Sequence, residues 1–209
     1  AEFRYDDIDR VHALGIDANQ EWGTAVYTVD AFALSMGAAV GDAGALQNVF
    51  VYVSDGLGDL RFPIPSTPIV LDQKDCLYVP HVLGAQVGQS LEIVNSDPTL
   101  HNVHAIPAAN QEFNTGQPLP GMKHTHQFTT TEVMVPFKCD VHGWMNAYVG
   151  VLDHPYFAVT AEDGMFDIST LPPGDYVLEA WHEQLGTQTQ NVTVATGQTA
   201  EVSFTFTAP

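Results

Sequence analysis

The run Cys139-Asp140-Val141-His142-Gly143-Trp144-Met145 sets a thiolate, an imidazole and a thioether three residues apart, and Asn95-Ser-Asp-Pro-Thr-Leu-His101-Asn102 offers a second imidazole upstream. A soft thiolate, two imidazoles and a weak axial thioether suit both oxidation states of copper, and the thioether adds only a long fourth contact. Zinc accepts Cys and His but gains little from Met, so it is the main chemical alternative for the same cage. The chemistry this set supports is single-electron transfer by one copper ion cycling between Cu(I) and Cu(II). Cys139 gives the anionic bond that dominates the electronics, Met145 the weak contact that tunes the potential, and His101 a ligand from a distant strand end. Asn102, next to His101, is expected to fix the ligand loop from outside the coordination sphere.

Neighbouring residues narrow the chemistry. A dinuclear copper centre needs a second Cys within a few residues of the first, and Cys76 is too far along the chain. A multicopper cluster calls for His directly beside the Cys, whereas Cys139 is flanked by Lys138 and Asp140. Two cysteines in an exported protein usually form a disulfide, but pairing Cys76 with Cys139 would remove the thiolate from the set. Cys76 and His81, with His104 if it folds close by, form a candidate minor metal site; the plainer reading is a buried small Cys and a strand-end His. His124 and His126 face the same side of a strand, a pair able to bind an adventitious metal, and are expected to be solvated. Trp144 and Tyr148 flank the ligand loop, either as an apolar docking patch or packed inward.

These ligands need a rigid frame, and the composition indicates a β one. Short runs of Val, Thr, Tyr and Phe are punctuated by 17 Gly and 13 Pro, which favours strands joined by turns. Lys and Arg number 6 against 25 Asp and Glu, a net charge of -19, which argues against nucleic acid or anionic membrane as partner and leaves two readings, a partner with a basic docking surface or a solvated acidic surface adapted to salt. The most apolar stretch, residues 31–46, is too short and too Gly-rich to span a bilayer, so no direct membrane insertion is expected. The sequence contains no charged start followed by an apolar core and a cleavage site, so no signal peptide is expected within it.

Residues 1–20 read as an acidic N-terminal arm. Residues 21–66 carry strand patterns at 23–29 and 46–53. Residues 67–153 contain seven or eight short strands, at 69–71, 77–79, 89–94, 101–106, 124–128, 132–137 and 147–152, a sandwich spacing. A polar loop over 107–121 is expected to close one end. Residues 154–209 add four or five strands, at 157–160, 166–168, 175–181, 188–194 and 199–206, too few to close a two-sheet core alone.

The 67–153 block resembles the cupredoxins, and its short Cys-x2-His-x2-Met loop with an upstream His-Asn-Val-His is most similar to the amicyanin type, plastocyanin-type loops being longer between His and Met. The stretch Asp163-Gly164-Met-Phe166 through Leu171-Pro-Pro-Gly174-Asp-Tyr176 resembles the transthyretin-like, carboxypeptidase-regulatory-type sandwich. Members of that family open with strands that Gly23–Val29 and Asn48–Val51 resemble. Together these resemblances imply an all-β chain, a Greek-key cupredoxin β-sandwich inserted between two parts of a second, transthyretin-like β-sandwich. They also imply an exported electron carrier rather than an enzyme, periplasmic or extracellular, with His142 nearest the surface as the electron's route. Its partners would be redox proteins such as a c-type cytochrome or a reductase or oxidase complex. The alternatives are a copper site that binds and converts a small molecule, and a structural or interaction subunit of a larger assembly.

Overall fold

The structure, a computed structural model, describes residues 45–207. The expected acidic arm and the strand at 23–29 lie outside them. Among the described residues every regular element is a strand: β1 (Phe50–Asp55), β2 (Ile69–Lys74), β3 (Leu77–Val79), β4 (Val82–Gln86), β5 (Ser90–Asn95), β6 (His101–Ala105), β7 (Phe113–Gln117), β8 (Lys123–Gln127), β9 (Glu132–Lys138), β10 (Asn146–Leu152), β11 (Phe157–Val159), β12 (Gly174–His182) and β13 (Gly186–Val194). No helix among these residues is long and apolar enough to cross a membrane.

Asp59–Phe157 forms one compact unit. It consists of a five-stranded sheet in the order β4-β10-β9-β6-β7 and a four-stranded sheet in the order β3-β2-β5-β8. The chain passes from β5 in one sheet to β6 and β7 in the other, returns for β8, and crosses again to β9 and β10, which is Greek-key connectivity. Alternation places the core. In β5, Leu91, Ile93 and Asn95 point inward while Ser90, Glu92 and Val94 do not. Leu71, Leu91, Ile93 and Phe128 meet Val103, Val135, Phe137, Val149 and Val151 from the facing sheet, all at 1% exposure or less. Burying each such side chain contributes about 1.5–3 kcal/mol relative to leaving it in water.

Two of these strands differ from the sequence reading. The segment expected as loop between 107 and 121 contains β7, which pairs with β6 from His101↔Gln117 to Ala105↔Phe113. Its sequence, Phe-Asn-Thr-Gly-Gln, is mostly polar because it is an edge strand that buries only one face. β4 is also additional, and it runs parallel to β10. Gly84 at its centre has no pattern to read, yet a Cβ there would stand 2.2 Å from the Phe157 ring.

The other unit comprises residues 45–58 and the chain from Ala158 onward. Its sheet has the order β11-β1-β12-β13. β1 pairs antiparallel with β12, from Phe50↔Trp181 to Asp55↔Val177. Val49, Val51, Ala180 and Phe206 form its core, with Phe166, Ile168 and Phe204 packed against them. The expected strand at 166–168 is irregular chain whose Phe and Ile nonetheless face that core. Residues 199–206 keep their alternation, with Phe206 at 2% exposure, but have no ladder partner among the described residues.

Candidate metal centre

The ligand candidates gather where three connections of the Asp59–Phe157 sandwich meet. His101 opens β6, and Cys139–Met145 is the link from β9 to β10. The third connection is the tight turn Asp75-Cys76 between β2 and β3.

The β9–β10 link is folded by its own hydrogen bonds. Cys139 N–H donates to Met145 O (3.1 Å), and Met145 N–H donates to His142 O (2.9 Å). His142 N–H points at Cys139 Sγ (3.4 Å), a donor that stabilises negative charge on sulfur. Asn102 supplies the remaining restraint. Its Oδ1 accepts from Asp140 N–H (2.6 Å) and Val141 N–H (3.3 Å), and the Cys139 thiol lies 3.3 Å from the same oxygen. Its Nδ2 donates to Asn114 Oδ1 (2.8 Å) and Asp140 Oδ2 (3.0 Å). Beneath them Tyr78 hydroxyl reaches from the opposite sheet to Asn102 O (2.8 Å) and Lys138 O (3.1 Å). Burial, followed by the charges of Cys139 and Asp140, pushes its phenol well above the usual range, so it acts as a neutral donor.

The two imidazoles face one another, with His101 Nδ1 2.9 Å from His142 Nδ1 and ring centroids 4.7 Å apart. Cys139 Sγ stands 3.8 Å from His142 Nδ1. His101 is fully buried, and its Nε2 lies 2.8 Å from Asp97 Oδ2. An ionised carboxylate only accepts, so Nε2 carries a proton toward Asp97, and Nδ1 is the ring atom turned to the centre. Burial raises the Asp97 carboxyl, but hydrogen bonds from Cys76 N–H, His101 and Asp75 N–H outweigh it and hold the group below the ordinary carboxylate range. Burial and the facing His101 push the partly exposed His142 below the ordinary histidine value, against an opposing pull from Asp97. Met145 is fully buried in the same core cluster as Cys139.

Whether these residues fit a metal is a question of donor spacing. Ligand atoms bonded at about 2.0–2.3 Å to one tetrahedral ion stand roughly 3.3–3.8 Å apart. The two separations measured from His142 Nδ1, 2.9 Å to His101 Nδ1 and 3.8 Å to Cys139 Sγ, lie just below and at the top of that range. The donors are thiolate and imidazole, which suit copper and zinc and not magnesium or calcium.

The structure therefore sets His101 and Cys139 each beside His142 Nδ1, with Asn102 bracing the loop and Met145 closing it through the backbone. The proposed minor grouping of Cys76, His81 and His104 does not assemble. His81 Nδ1 lies 3.2 Å from Asn146 O, and its ring packs edge-on against Tyr148. His104 lies between Asp140 (3.0 Å) and Glu112 (2.7 Å) on the outer face of β6. Cys76 instead joins the main centre: its Sγ and one ring nitrogen each of His101 and His142 lie within 4.8 Å of one another, forming the only group of three or more such donors among the described residues. Both cysteines are free thiols. Trp144 packs inward, with Nε1–H donating to Cys76 O (3.0 Å) and its ring 5.2 Å from His142. His124 and His126 flank the Phe113 ring at 4.9 and 4.4 Å rather than standing free in solvent.

Sequence reasoning gave Asp97 no role and read Asp140 only as a neighbour of Cys139. Asp97 sits four residues before His101 in a Ser-Asp-Pro turn, a spacing that brings a carboxylate back onto the ring. Asp140 follows the ligand Cys and accepts from Asn102, Asn114 and His104 while pairing with Lys138 at 3.1 Å. Lys138 foremost, then Asn114, hold its carboxyl far below the ordinary range.

The carboxypeptidase regulatory-like domain family matches residues 145–207. No curated protein sequence matches the chain. Among solved structures, a copper-containing nitrite reductase from Thermus scotoductus SA-01 is similar at 19% identity and a TM-score of 0.40, over 49% of this chain and 26% of that one. A Cu(I) amicyanin carrying a methionine-to-alanine substitution is similar at 20% identity and a TM-score of 0.36, over 46% of this chain and 96% of that one. A reduced amicyanin carrying a tryptophan-to-tyrosine substitution gives 22% and 0.36, over the same shares of both chains. By its own sheet order Asp59–Phe157 is a two-sheet Greek-key sandwich, and residues 145–207, which include most of the described residues of the second unit, are similar to a carboxypeptidase regulatory-like domain.

Proposed function

We propose that the protein is a mononuclear copper electron carrier in which His101, Cys139, His142 and Met145 hold one copper ion. The observation that carries this reading is the approach of both His101 Nδ1 (2.9 Å) and the Cys139 sulfur (3.8 Å) to His142 Nδ1 at the end of a two-sheet sandwich. Copper bound there would supply one-electron redox chemistry. The chain's own residues do the rest. Asp97 holds His101 with Nδ1 turned to the centre, Asn102 holds the β9–β10 loop, and Cys139 at 1% exposure keeps its sulfur away from water. His142 is the outermost ring of the set and the natural exit for an electron. The net charge of -19 favours a redox partner with a basic docking surface, such as a c-type cytochrome or a reductase or oxidase, in a periplasmic or extracellular setting.

The test is metal analysis with visible spectroscopy on the full chain and on Cys139→Ser. One copper per chain and an intense thiolate-to-copper band that the substitution abolishes are expected. A band that survives Cys139→Ser would refute the assignment. A weak band that shifts on adding azide would favour an open, small-molecule-binding copper.

A further inference from the structure

We propose that Cys76 is a second thiol ligand of this cage, joining His101, His142 and Cys139 around a thiophilic ion such as Cu(I). The inference rests on the metal-cage reading above and extends it to a residue that the Cys-x2-His-x2-Met loop does not contain.

Cys76 is brought to the centre by several independent restraints. It occupies the second position of the two-residue turn between β2 and β3, and both Asp75 and Cys76 have a φ of 56°. Turns with positive φ at both central residues ordinarily carry Asn-Gly, since a Cβ is disfavoured there. Here a cysteine stands where glycine would be the undemanding choice. Asp97 secures it by accepting from Asp75 N–H (2.8 Å) and Cys76 N–H (2.9 Å) through the same carboxylate that orients His101. Trp144 secures it from the other side through Cys76 O while lying against His142. The turn is thus tied to one imidazole through Asp97 and to the other through Trp144. The Cys76 sulfur that results lies within 4.8 Å of a nitrogen of each ring.

The two thiols differ in access. Cys139 is buried and Cys76 is partly exposed, so Cys76 is the donor an incoming ion meets first. A closed-shell soft ion takes two thiolates and two imidazoles readily in tetrahedral array, and gains more from a second thiolate than from the thioether. On binding, the Cys76 S–H bond breaks, its proton leaves to solvent and the sulfur bonds to the ion, with no change of oxidation state.

The full chain is titrated with Cd(II), whose thiolate-to-metal ultraviolet absorption counts bound sulfurs, and compared with Cys76→Ser and Cys139→Ser. One ion per chain is expected, with about half the band in either variant and an affinity lowered roughly 100-fold, the share of one ligand in a four-donor site. In the unaltered chain, one equivalent of Cd(II) slows iodoacetamide alkylation of Cys76, read by mass spectrometry, by at least about tenfold. This second arm needs no variant to fold. A full-strength band in Cys76→Ser, or Cys76 alkylated as fast with Cd(II) as without, overturns the proposal. A copper band that depends on Cys139 alongside that result would leave the electron-carrier reading intact.

Discussion

Replacing Asp97 with Asn isolates the carboxylate that both orients His101 and anchors the Asp75-Cys76 turn. Oδ2 serves His101 Nε2 (2.8 Å) and Cys76 N–H (2.9 Å), and Oδ1 serves Asp75 N–H (2.8 Å). An asparagine can keep its single oxygen at the Oδ2 position, but its NH2 then faces the Asp75 N–H, donor against donor. Hydrogen bonds to a charged group contribute about 1.5–3 kcal/mol each, and an unmatched buried donor costs about 1–3 kcal/mol. Two of the three bonds survive in neutral form, so a loss of about 2 kcal/mol is expected for the metal-free chain. For a domain of about this size, each kcal/mol moves the thermal midpoint by roughly 4–8 °C, so the Asp59–Phe157 sandwich should melt roughly 10 °C lower. Removing such an outer partner of a metal-ligating His typically weakens metal binding about 10–100-fold. Circular dichroism melts of metal-free protein and competition of copper against a chelator measure the two effects separately. An Asp97→Asn chain that melts within about a degree of the unaltered one and binds copper equally well would refute the reasoning, since neither effect on its own requires the other.

Asn102→Ala removes the acceptor of Asp140 N–H and Val141 N–H, and it should lower stability by about 1–3 kcal/mol while shifting the thiolate-to-copper band, as read by denaturant unfolding and absorption. Glu132 accepts from Asn110 Nδ2 and from the backbone N–H of Ala108, Ala109 and Asn110; burial raises its carboxyl, but these bonds prevail and hold it below the ordinary range. Because the folded value is the lower one, the stabilisation is complete above the unfolded carboxylate value of about 4.3 and is lost as pH falls through the folded value. The gap in thermal midpoint between the unaltered chain and Glu132→Gln should therefore narrow steadily below about pH 4; a gap that stays constant to about pH 2.5 would contradict the assignment.

How much of this was legible in the sequence depends on how local each determinant is. β5 and β10 announce themselves because their alternating or continuous apolar runs are set by the core they face. β7 does not, because an edge strand of Phe, Asn, Thr, Gly and Gln buries one face with only Phe113, Thr115 and Gln117, two of them polar. Gly84 carries no side chain to reveal that β4 packs closely on Phe157. At the metal centre, the spacing within Cys139–Met145 belongs to a single loop and can be read directly. The approach of Cys76 cannot, because it depends on a turn held by Asp97 from another connection. Nearness along the chain linked Cys76 with His81, but the hairpin sends them in different directions: Cys76 to the two imidazoles and His81 to Asn146 O.

The strand pair that carries the ligands has a further consequence. Backbone pairing between β6 and β9 joins His104↔Lys138 and Ala105↔Phe137 and continues away from the metal centre with Ile106 N–H donating to Pro136 O (2.9 Å). One step further toward the metal, at Asn102 and Asp140, the rung is made by the Asn102 side chain. An amide side chain inserted there takes the place of a main-chain rung. Tyr78 caps the two carbonyls beside it, Asn102 O and Lys138 O, with one hydroxyl. The width of the ligand cleft is thus gauged by an amide and a phenol rather than by main-chain pairing. Two side-chain substitutions could therefore retune the bite of the cage without altering the sheet order.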